Sequence, residues 1–452
     1  MRILVTNTNT YRLLSPSPIG ASLVAARLKR DGHDVHFLDC NVEKKPRQAV
    51  VEAARSFQPQ LLCFSIRNRD NMTPGDFYDP IPEIASMLQA VRQVCPAPML
   101  LGGTAFTTYP KRMLDVMGAE WGYCGDDLEP IARFVQSLAA GSPDRETPGL
   151  VHRALTGEVV ENPFQIVGYR DVTFDNWDLV DLSRYRRGYW QAGVVTRTGC
   201  PENCAFCDTF HTFGKRFVLR DPAEVAGDLL KLKRTGKVKS VFLVDAGFNR
   251  PLEHAKDVLR EILKQGAQLQ LWSVFDPGQA DDEFFALYKR AGGAAVVVFA
   301  ESFSDPVLRA MGKSFTRKEI DRDMAGLHRA GVGTMLMPTL GGPGETRETA
   351  LETLQGGWDA GSWWVDFSVG WRIQPRTPLY DRAVAEGVIG ADDDGWDAKF
   401  YVSPDTPQDW LLQQIRRFKR RNLHRMAWRA LPMTWAMAVS RPWTHGPESA
   451  TT

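Results

Sequence analysis

Gly199-Cys200-Pro201-Glu202-Asn203-Cys204-Ala205-Phe206-Cys207 places three of the chain's seven cysteines on one short loop, separated by three residues and then by two. Thiolates clustered this closely ligate soft metals, and iron–sulfur clusters are held by cysteine sulfur. A cubane of four irons gripped by three cysteines leaves one iron without a protein ligand. An open position on a metal is where chemistry happens, as catalytic zinc sites also show. Zinc is the plainer alternative, but no Cys-x-x-Cys or His-x-x-x-His pair downstream completes a tetrahedron. A disulfide framework is disfavoured because Cys40, Cys63, Cys95 and Cys124 are scattered.

Outward from this loop, strand and helix alternate at a long period. Strands read at about Ala192–Arg197, Ser240–Val244, Leu269–Val274, Ala294–Ala300, Thr334–Leu340 and Trp364–Arg372. Helical stretches lie between them, for instance Pro222–Arg234, Leu252–Lys264 and Thr346–Ala360. Parallel strands joined by helices gather their reacting groups at the carboxyl ends of the strands. The cysteine loop follows the first strand and Asp245-Ala246-Gly247-Phe248-Asn249 the second. Ser273 and Asp276 follow the third, Glu301 the fourth, and Gly341-Gly342-Pro343-Gly344-Glu345-Thr346 the fifth. Arg372 and Gln374-Pro375-Arg376-Thr377-Pro378-Leu379 close the sixth. Glu301 ends an apolar run, so its carboxylate stands at the rim of a buried strand and needs a partner, either a ligand or a neighbouring helix. His254, one turn into a helix, reads as a structural histidine.

The first 140 residues show the same alternation on a shorter period. Ile3–Thr6, Val35–Asp39, Leu61–Ile66, Met99–Leu101 and Trp121–Tyr123 read as strands, and Ile19–Arg30 as a helix. This predicts a doubly wound parallel sheet with its ligand site at the strand ends, where Ser65, Gly102-Gly103 and Gly125 stand. Glycine lets backbone approach a bulky ligand, and a serine hydroxyl can bond one. Residues 141–189 carry loop signals and read as a connector whose aromatics Phe174, Trp177, Tyr185, Tyr189 and Trp190 pack in cores. Residues 190–390 form the second domain and 391–452 a short helical extension. From Trp410 to Arg429 the extension is basic and partly amphipathic, and Leu431-Pro432-Met433 is expected to end its helix. Its readings are a solvated or docked helix, a contact with an electron donor or anionic lipid, and a substrate cover.

Across 452 residues 55 basic side chains balance 54 acidic ones, which implies no global attraction to nucleic acid. No apolar run is long enough to span a bilayer, and the start of the chain lacks a signal-peptide pattern. Together with the cysteine usage this points to the reducing cytoplasm.

The C-x3-C-x2-C spacing, with Phe206 before the last cysteine, resembles the radical S-adenosylmethionine (SAM) enzymes. The resemblance implies a partial (β/α)6 barrel and a [4Fe–4S] cluster on Cys200, Cys204 and Cys207. It also implies SAM on the open iron and a 5′-deoxyadenosyl radical formed by reductive cleavage. Phe206, Asp245, Ser273, Glu301, Gly341 and Gly342 are the positions it assigns to SAM. Asp245 replaces the usual Gly-Gly-Glu-like turn, and the Gly341–Thr346 turn resembles the Gly-x-Pro-Gly-Glu-Thr of the subgroup. An N-terminal doubly wound domain is similar to that of the cobalamin-binding subgroup, which assigns Ser65, Gly102, Gly103 and Gly125 to cobalamin. The Asp-x-His-x-x-Gly that supplies a cobalt ligand in many cobalamin proteins is replaced by Asn7-Thr8-Asn9-Thr10-Tyr11-Arg12. That leaves the lower axial position to water or to nothing, as in related methylases. The expected function is methyl transfer to an unactivated carbon or to phosphorus of a small-molecule substrate, with a flavodoxin or ferredoxin as reductant. A rearrangement, cyclisation or other carbon-bond formation without methyl transfer is the second reading, and a non-catalytic cluster carrier the third.

Overall fold

The structure, a computed structural model, describes residues 1–11, 17–170, 172–185 and 191–438, the side chains of 432–438 excepted. Five parallel strands open the chain: β1 (Arg2–Asn7), β2 (Asp34–Asp39), β3 (Leu61–Ser65), β4 (Met99–Gly102) and β5 (Trp121–Tyr123). Their apolar runs are buried on both faces between helices, as parallel sheets require. Two strands within the expected connector, β6 (Leu150–Arg153) and β7 (Val159–Glu161), extend this sheet antiparallel beyond β5. The order is β2-β1-β3-β4-β5-β6-β7. Chain direction around the sheet reverses between β1 and β3, so the crevice at their carboxyl ends is the natural ligand site.

The second sheet runs β16-β14-β13-β12-β11-β8 and is parallel throughout. Its strands are β8 (Ala192–Val194), β11 (Ser240–Leu243), β12 (Gln270–Phe275), β13 (Gly293–Val298), β14 (Gly333–Leu336) and β16 (Trp364–Val365). Short ladders decorate its rim: β9 (Arg197–Thr198) with β10 (Val218–Leu219), and β15 (Thr339–Leu340) with β17 (Ser368–Val369). One face carries a small cluster of Phe242, Trp272, Val274, Ala295, Val297 and Met335; the other packs on the helices. This is the open six-stranded arrangement expected from the strand rhythm.

The extension is more integrated than a simple appendage. β19 (Phe400–Tyr401) pairs antiparallel with β18 (Trp371–Arg372). Trp396 packs into the N-terminal core, edge-on to Tyr109, with the Arg69 guanidinium 4.4 Å from its ring. Arg372 and Asp70, separated by 302 residues, form a fully buried ion pair at 3.0 Å. Tyr109 donates to Gln374 Oε1 and the Gly395 carbonyl. The two domains are thus locked together along one flank.

The C-terminal helix runs Gln408–Ala438, which corrects the expected stop at Leu431-Pro432-Met433. Proline removes one N–H donor from a helix, and the helix continues past that single loss. Of the connector aromatics, Phe174 and Tyr185 are buried, and Phe174 joins Leu23 and Val195 between the two domains. Tyr189 and Trp190 lie outside the described residues.

Candidate active site

The cysteine loop leaves β9 and is tied down from several sides. The Cys200 N–H donates to the Gly214 carbonyl, Ala205 N–H to Met311, and Leu379 N–H to Ala205. Gly199 stands at φ 82°, and a Cβ there would overlap the Arg216 carbonyl at 1.9 Å, so only glycine turns the chain into the loop. All three cysteines are free and partly buried. Burial raises the thiol pKa of Cys200, Cys204 and Cys207, to about 12 for Cys204, so iron must displace protons to bind. Among the described residues no three His, Cys, Asp or Glu side chains converge on one metal ion. A cubane makes no such demand, because its thiolates sit on separate irons. Three free cysteines on one loop are the donor set such a cluster needs.

Asp245 underpins that loop. One carboxylate oxygen accepts the backbone N–H groups of Thr196 (2.9 Å) and Arg197 (3.2 Å), and the other accepts the Thr196 hydroxyl at 2.5 Å. The buried Arg197 guanidinium then donates to the carbonyls of Gly199 (2.6 Å), Ala246 and Gly247, and to Arg250. Neither Arg197 nor this latch was anticipated; a charged residue beside the motif in an otherwise apolar strand was its only signal. His254 accepts no role beyond the scaffold, its ring 3.2 Å from the Thr196 carbonyl.

On the other flank of the loop, Phe206 packs on Trp371 with ring centroids 4.4 Å apart. A Cβ on Gly342 would lie 3.3 Å from both Met311 Sδ and Trp371 Nε1, and that indole N–H is buried without a hydrogen-bond partner. Gly341, at φ 88°, donates its N–H to the buried Glu345 carboxylate. Burial pushes the Glu345 pKa up to about 7, and its second oxygen has no partner. Glu301 sits at φ 63°, a left-handed conformation uncommon for a non-glycine residue, and its carboxylate pairs with Lys313 Nζ at 3.1 Å. Lys313 lies 5.4 Å from the Phe206 ring centroid. Burial works against its charge, but Glu301, Cys204 and Asp276 together hold the ammonium pKa above its ordinary value. Lys313 had no local sequence signal. Glu301, Phe206, Gly341 and Gly342 therefore gather on this flank, with an unpartnered indole N–H between them.

Ser273 is not among them. Its hydroxyl meets the Tyr288 hydroxyl at 3.1 Å on the helix-facing side of the sheet. β12 runs to Phe275, so Ser273 lies within the strand, and the alternation of side chains turns it outward; this corrects its assignment to SAM.

A cavity of about 530 Å³ joins the two domains. From the N-terminal sheet it is lined by Ser65, Gly102, Gly103 and Gly125; from the barrel by Thr198, Gly199, Asp245, Val274 and Phe299. The glycines differ. Gly103 has φ 97° and a Cβ there would strike the Ile66 carbonyl at 2.5 Å, so it serves the turn itself. At Gly102 the nearest atom to such a Cβ is the Tyr123 carbonyl at 3.7 Å, so its missing side chain leaves room for a ligand. Arg67 also lines the cavity, and among the described residues its guanidinium has no hydrogen-bond or ion-pair partner. An unfilled glycine-walled crevice with an unpaired cation fits a large, polar, partly anionic cofactor such as cobalamin. Arg372, by contrast, is spent on Asp70 and takes no ligand.

Comparison with known proteins agrees with this geometry. Residues 194–355 match the radical SAM superfamily and residues 10–134 the B12 binding domain. Tryptophan 2-C-methyltransferase of Streptomyces laurentii is 25% identical over 84% of this chain and 75% of its own length. Hopanoid C-3 methylase of Methylococcus capsulatus is 24% identical over 70% of this chain and 60% of its own. A radical SAM methyltransferase of Kitasatospora setae, solved with cobalamin and a [4Fe–4S] cluster, shares the fold with a TM-score of 0.79 at 21% identity, covering 92% of this chain and 90% of that one. The cofactors that go with these families are the [4Fe–4S] cluster, SAM and cobalamin. The chain thus carries a radical SAM domain over residues 194–355 and a B12 binding domain over residues 10–134.

Proposed function

We propose that this enzyme is a cobalamin-dependent methyltransferase acting on an unactivated carbon, or on phosphorus, of a small-molecule substrate. The observation that carries the reading is the shared cavity: the glycine-walled crevice of one sheet and the root of the cysteine loop open into the same space. The names of the relatives support it, since they include a tryptophan methyltransferase, a hopanoid methylase and a cytidylyl-2-hydroxyethylphosphonate methyltransferase. When bound, the cluster with SAM supplies a substrate radical and cobalamin supplies a methyl group.

The chain's own residues do the positioning. Cys200, Cys204 and Cys207 hold the cluster; Asp245 and Arg197 fix the loop that carries them. Phe206, Glu301, Gly341 and Gly342 flank SAM, with Lys313 neutralising Glu301. Ser65, Gly102, Gly103 and Gly125 receive cobalamin, and the buried Asp70–Arg372 pair holds the two half-sites in register. Rigid alignment of two cofactors across a cavity is what a transfer between them requires. The reductant is a flavodoxin or ferredoxin, nucleic acid has no part, and the setting is the cytoplasm, where seven free cysteines persist. The proposed division is residues 1–140, 141–189, 190–390 and 391–452, with β6 and β7 of the connector pairing onto the first sheet.

The test is product analysis under reducing, anaerobic conditions with SAM bearing a labelled methyl group. Labelled methyl in the product, with 5′-deoxyadenosine and S-adenosylhomocysteine released together, supports methyl transfer. A product of unchanged methyl content with 5′-deoxyadenosine alone would replace this reading with rearrangement or cyclisation.

A further inference from the structure

The C-terminal helix Gln408–Ala438 has two faces with different fates. At about 100° per residue, Leu411, Ile415, Phe418 and Met426 share one side, and all four pack on the barrel's hydrophobic core. Lys419 pairs with Asp366 at 2.8 Å, and Arg429 donates to the Trp358 carbonyl at 2.8 Å. The opposite side carries Arg416, Arg417 and Arg420, with Arg421 and Arg425 on its flank, all five exposed and without an ion pair among the described residues. Between these cations stand Leu423, Trp428 and Leu431, which expose 68%, 73% and 50% of their surface. The sequence has no Asp or Glu between Asp409 and Glu448.

The helix also has a direction. Leu411 lies under Gly341, at the carboxyl end of the barrel, where a Cβ on that glycine would sit 3.5 Å from Leu411 Cδ1. Trp358 ends the helix Arg347–Asp359, which descends from that same turn to the amino end of the barrel. Arg429 meets it there, about 27 Å along the helix from Leu411 at 1.5 Å per residue. The cations run down the flank of the barrel, from turns level with Lys419, which pairs with Asp366 just after β16, to Arg425, and the exposed Leu423, Trp428 and Leu431 stand towards the far end of the helix. The exposed Leu423, Trp428 and Leu431 among these cations suit an apolar boundary better than the charged surface of an electron donor.

We propose that this face docks the enzyme onto an anionic lipid surface. Arginine stems can lie along an acyl boundary while their guanidinium groups reach lipid phosphates, and Trp428 suits the interface with its apolar body and N–H tip. Unpaired cations with interspersed Leu and Trp on one helix face are the pattern of surface-lying helices. Among the described residues no helix is long and apolar enough to cross a membrane, so the contact is peripheral.

Cosedimentation of the cluster-loaded protein with vesicles tests this. Binding is expected to vesicles of phosphatidylcholine mixed with phosphatidylglycerol, weakening with added salt, and not to phosphatidylcholine alone. Arg417→Glu/Arg420→Glu/Arg421→Glu should lower the bound fraction by about tenfold or more. The milder Arg417→Gln/Arg420→Gln/Arg421→Gln and the apolar Leu423→Ala/Trp428→Ala/Leu431→Ala should each lower it several-fold. Iron content and SAM cleavage should stay at wild-type level in all three, which separates lost docking from lost folding. Wild-type protein that ignores the mixed vesicles, or charge-reversed protein that binds them equally, overturns the proposal. So does a sedimentation-velocity result in which the apolar variant converts a dimer to a monomer without altering vesicle binding, which would make the face a contact between copies. Capture of an acidic flavodoxin by this face, without vesicle binding, would overturn it as well.

Discussion

The two sides of the cavity are built on opposite plans. On the barrel side the two carboxylates beside the loop are already satisfied, Asp245 by Thr196 and Arg197 and Glu301 by Lys313. On the N-terminal side the crevice is left open, with Gly102 unfilled and Arg67 unpaired. A rigid, self-satisfied frame suits a metal cluster whose ligands must be held in place. An open crevice suits a bulky cofactor that brings its own polar groups. The contrast teaches that the barrel side was made to hold a loop, and the other side to receive a molecule.

The most drastic way to break this contrast is to remove the metal. Replacing Cys200, Cys204 and Cys207 together by Ala should abolish bound iron and all SAM cleavage, while cobalamin retention stays at wild-type level. Iron and corrinoid counted on the same sample check it; joint loss of both would mean the two sites are not separable. The next largest effect is expected at the crevice. Gly102→Phe should fill the space beside the Tyr123 carbonyl, eliminate cobalamin retention and leave iron content unchanged. Gly103 is the wrong position for this test, because any side chain there strikes the Ile66 backbone and unsettles the turn.

The buried Glu345 gives a smaller effect with a definite sign. Its carboxyl pKa is raised by burial to about 7, so the folded protein binds a proton that the unfolded chain releases at its ordinary, lower value. Stability from this group is fully present below that ordinary value and is lost as pH rises through about 7. The loss is at most about 3 kcal/mol. Thermal unfolding measured between mildly acid and mildly alkaline pH should show a falling Tm, and Glu345→Gln should flatten the slope. An unchanged slope in the variant would assign the pH dependence elsewhere.

Smallest, and sharpest for the comparison, is Asp245→Asn. The amide keeps an acceptor for the two backbone N–H groups but loses charge, an expected weakening of about 1–2 kcal/mol in the anchoring of the loop. Iron retention on dilution should fall, while SAM affinity of fully loaded protein stays unchanged. Full iron with weakened SAM binding would instead put Asp245 on the ligand, and the barrel side would no longer be the self-satisfied half.

Much of this was legible in the chain because its signals are local. The cysteine loop announces itself by spacing, and the strands by short apolar runs that only a doubly covered sheet can bury. Ser273 was misplaced because it sits inside the strand rather than at its end, and a strand turns successive side chains to opposite faces, its own towards Tyr288 and the helices. β6 and β7 are too short, and too close to turn residues, to stand out. Lys313 and the Asp70–Arg372 pair could not be read at all: each partner lies on a segment remote from the other, and only the closed fold makes them neighbours. The open crevice was readable from Gly102-Gly103, but which glycine serves the turn and which the ligand depends on where Ile66 and Tyr123 lie.

The central claim, a cluster and a cobalamin facing one cavity, is tested most directly by counting both. Protein purified anaerobically from cobalamin-fed cells should release about one corrinoid per chain beside the irons of one cubane, with the spectra of both. Protein that carries the full complement of iron but no corrinoid, and takes up none on reconstitution, would contradict it.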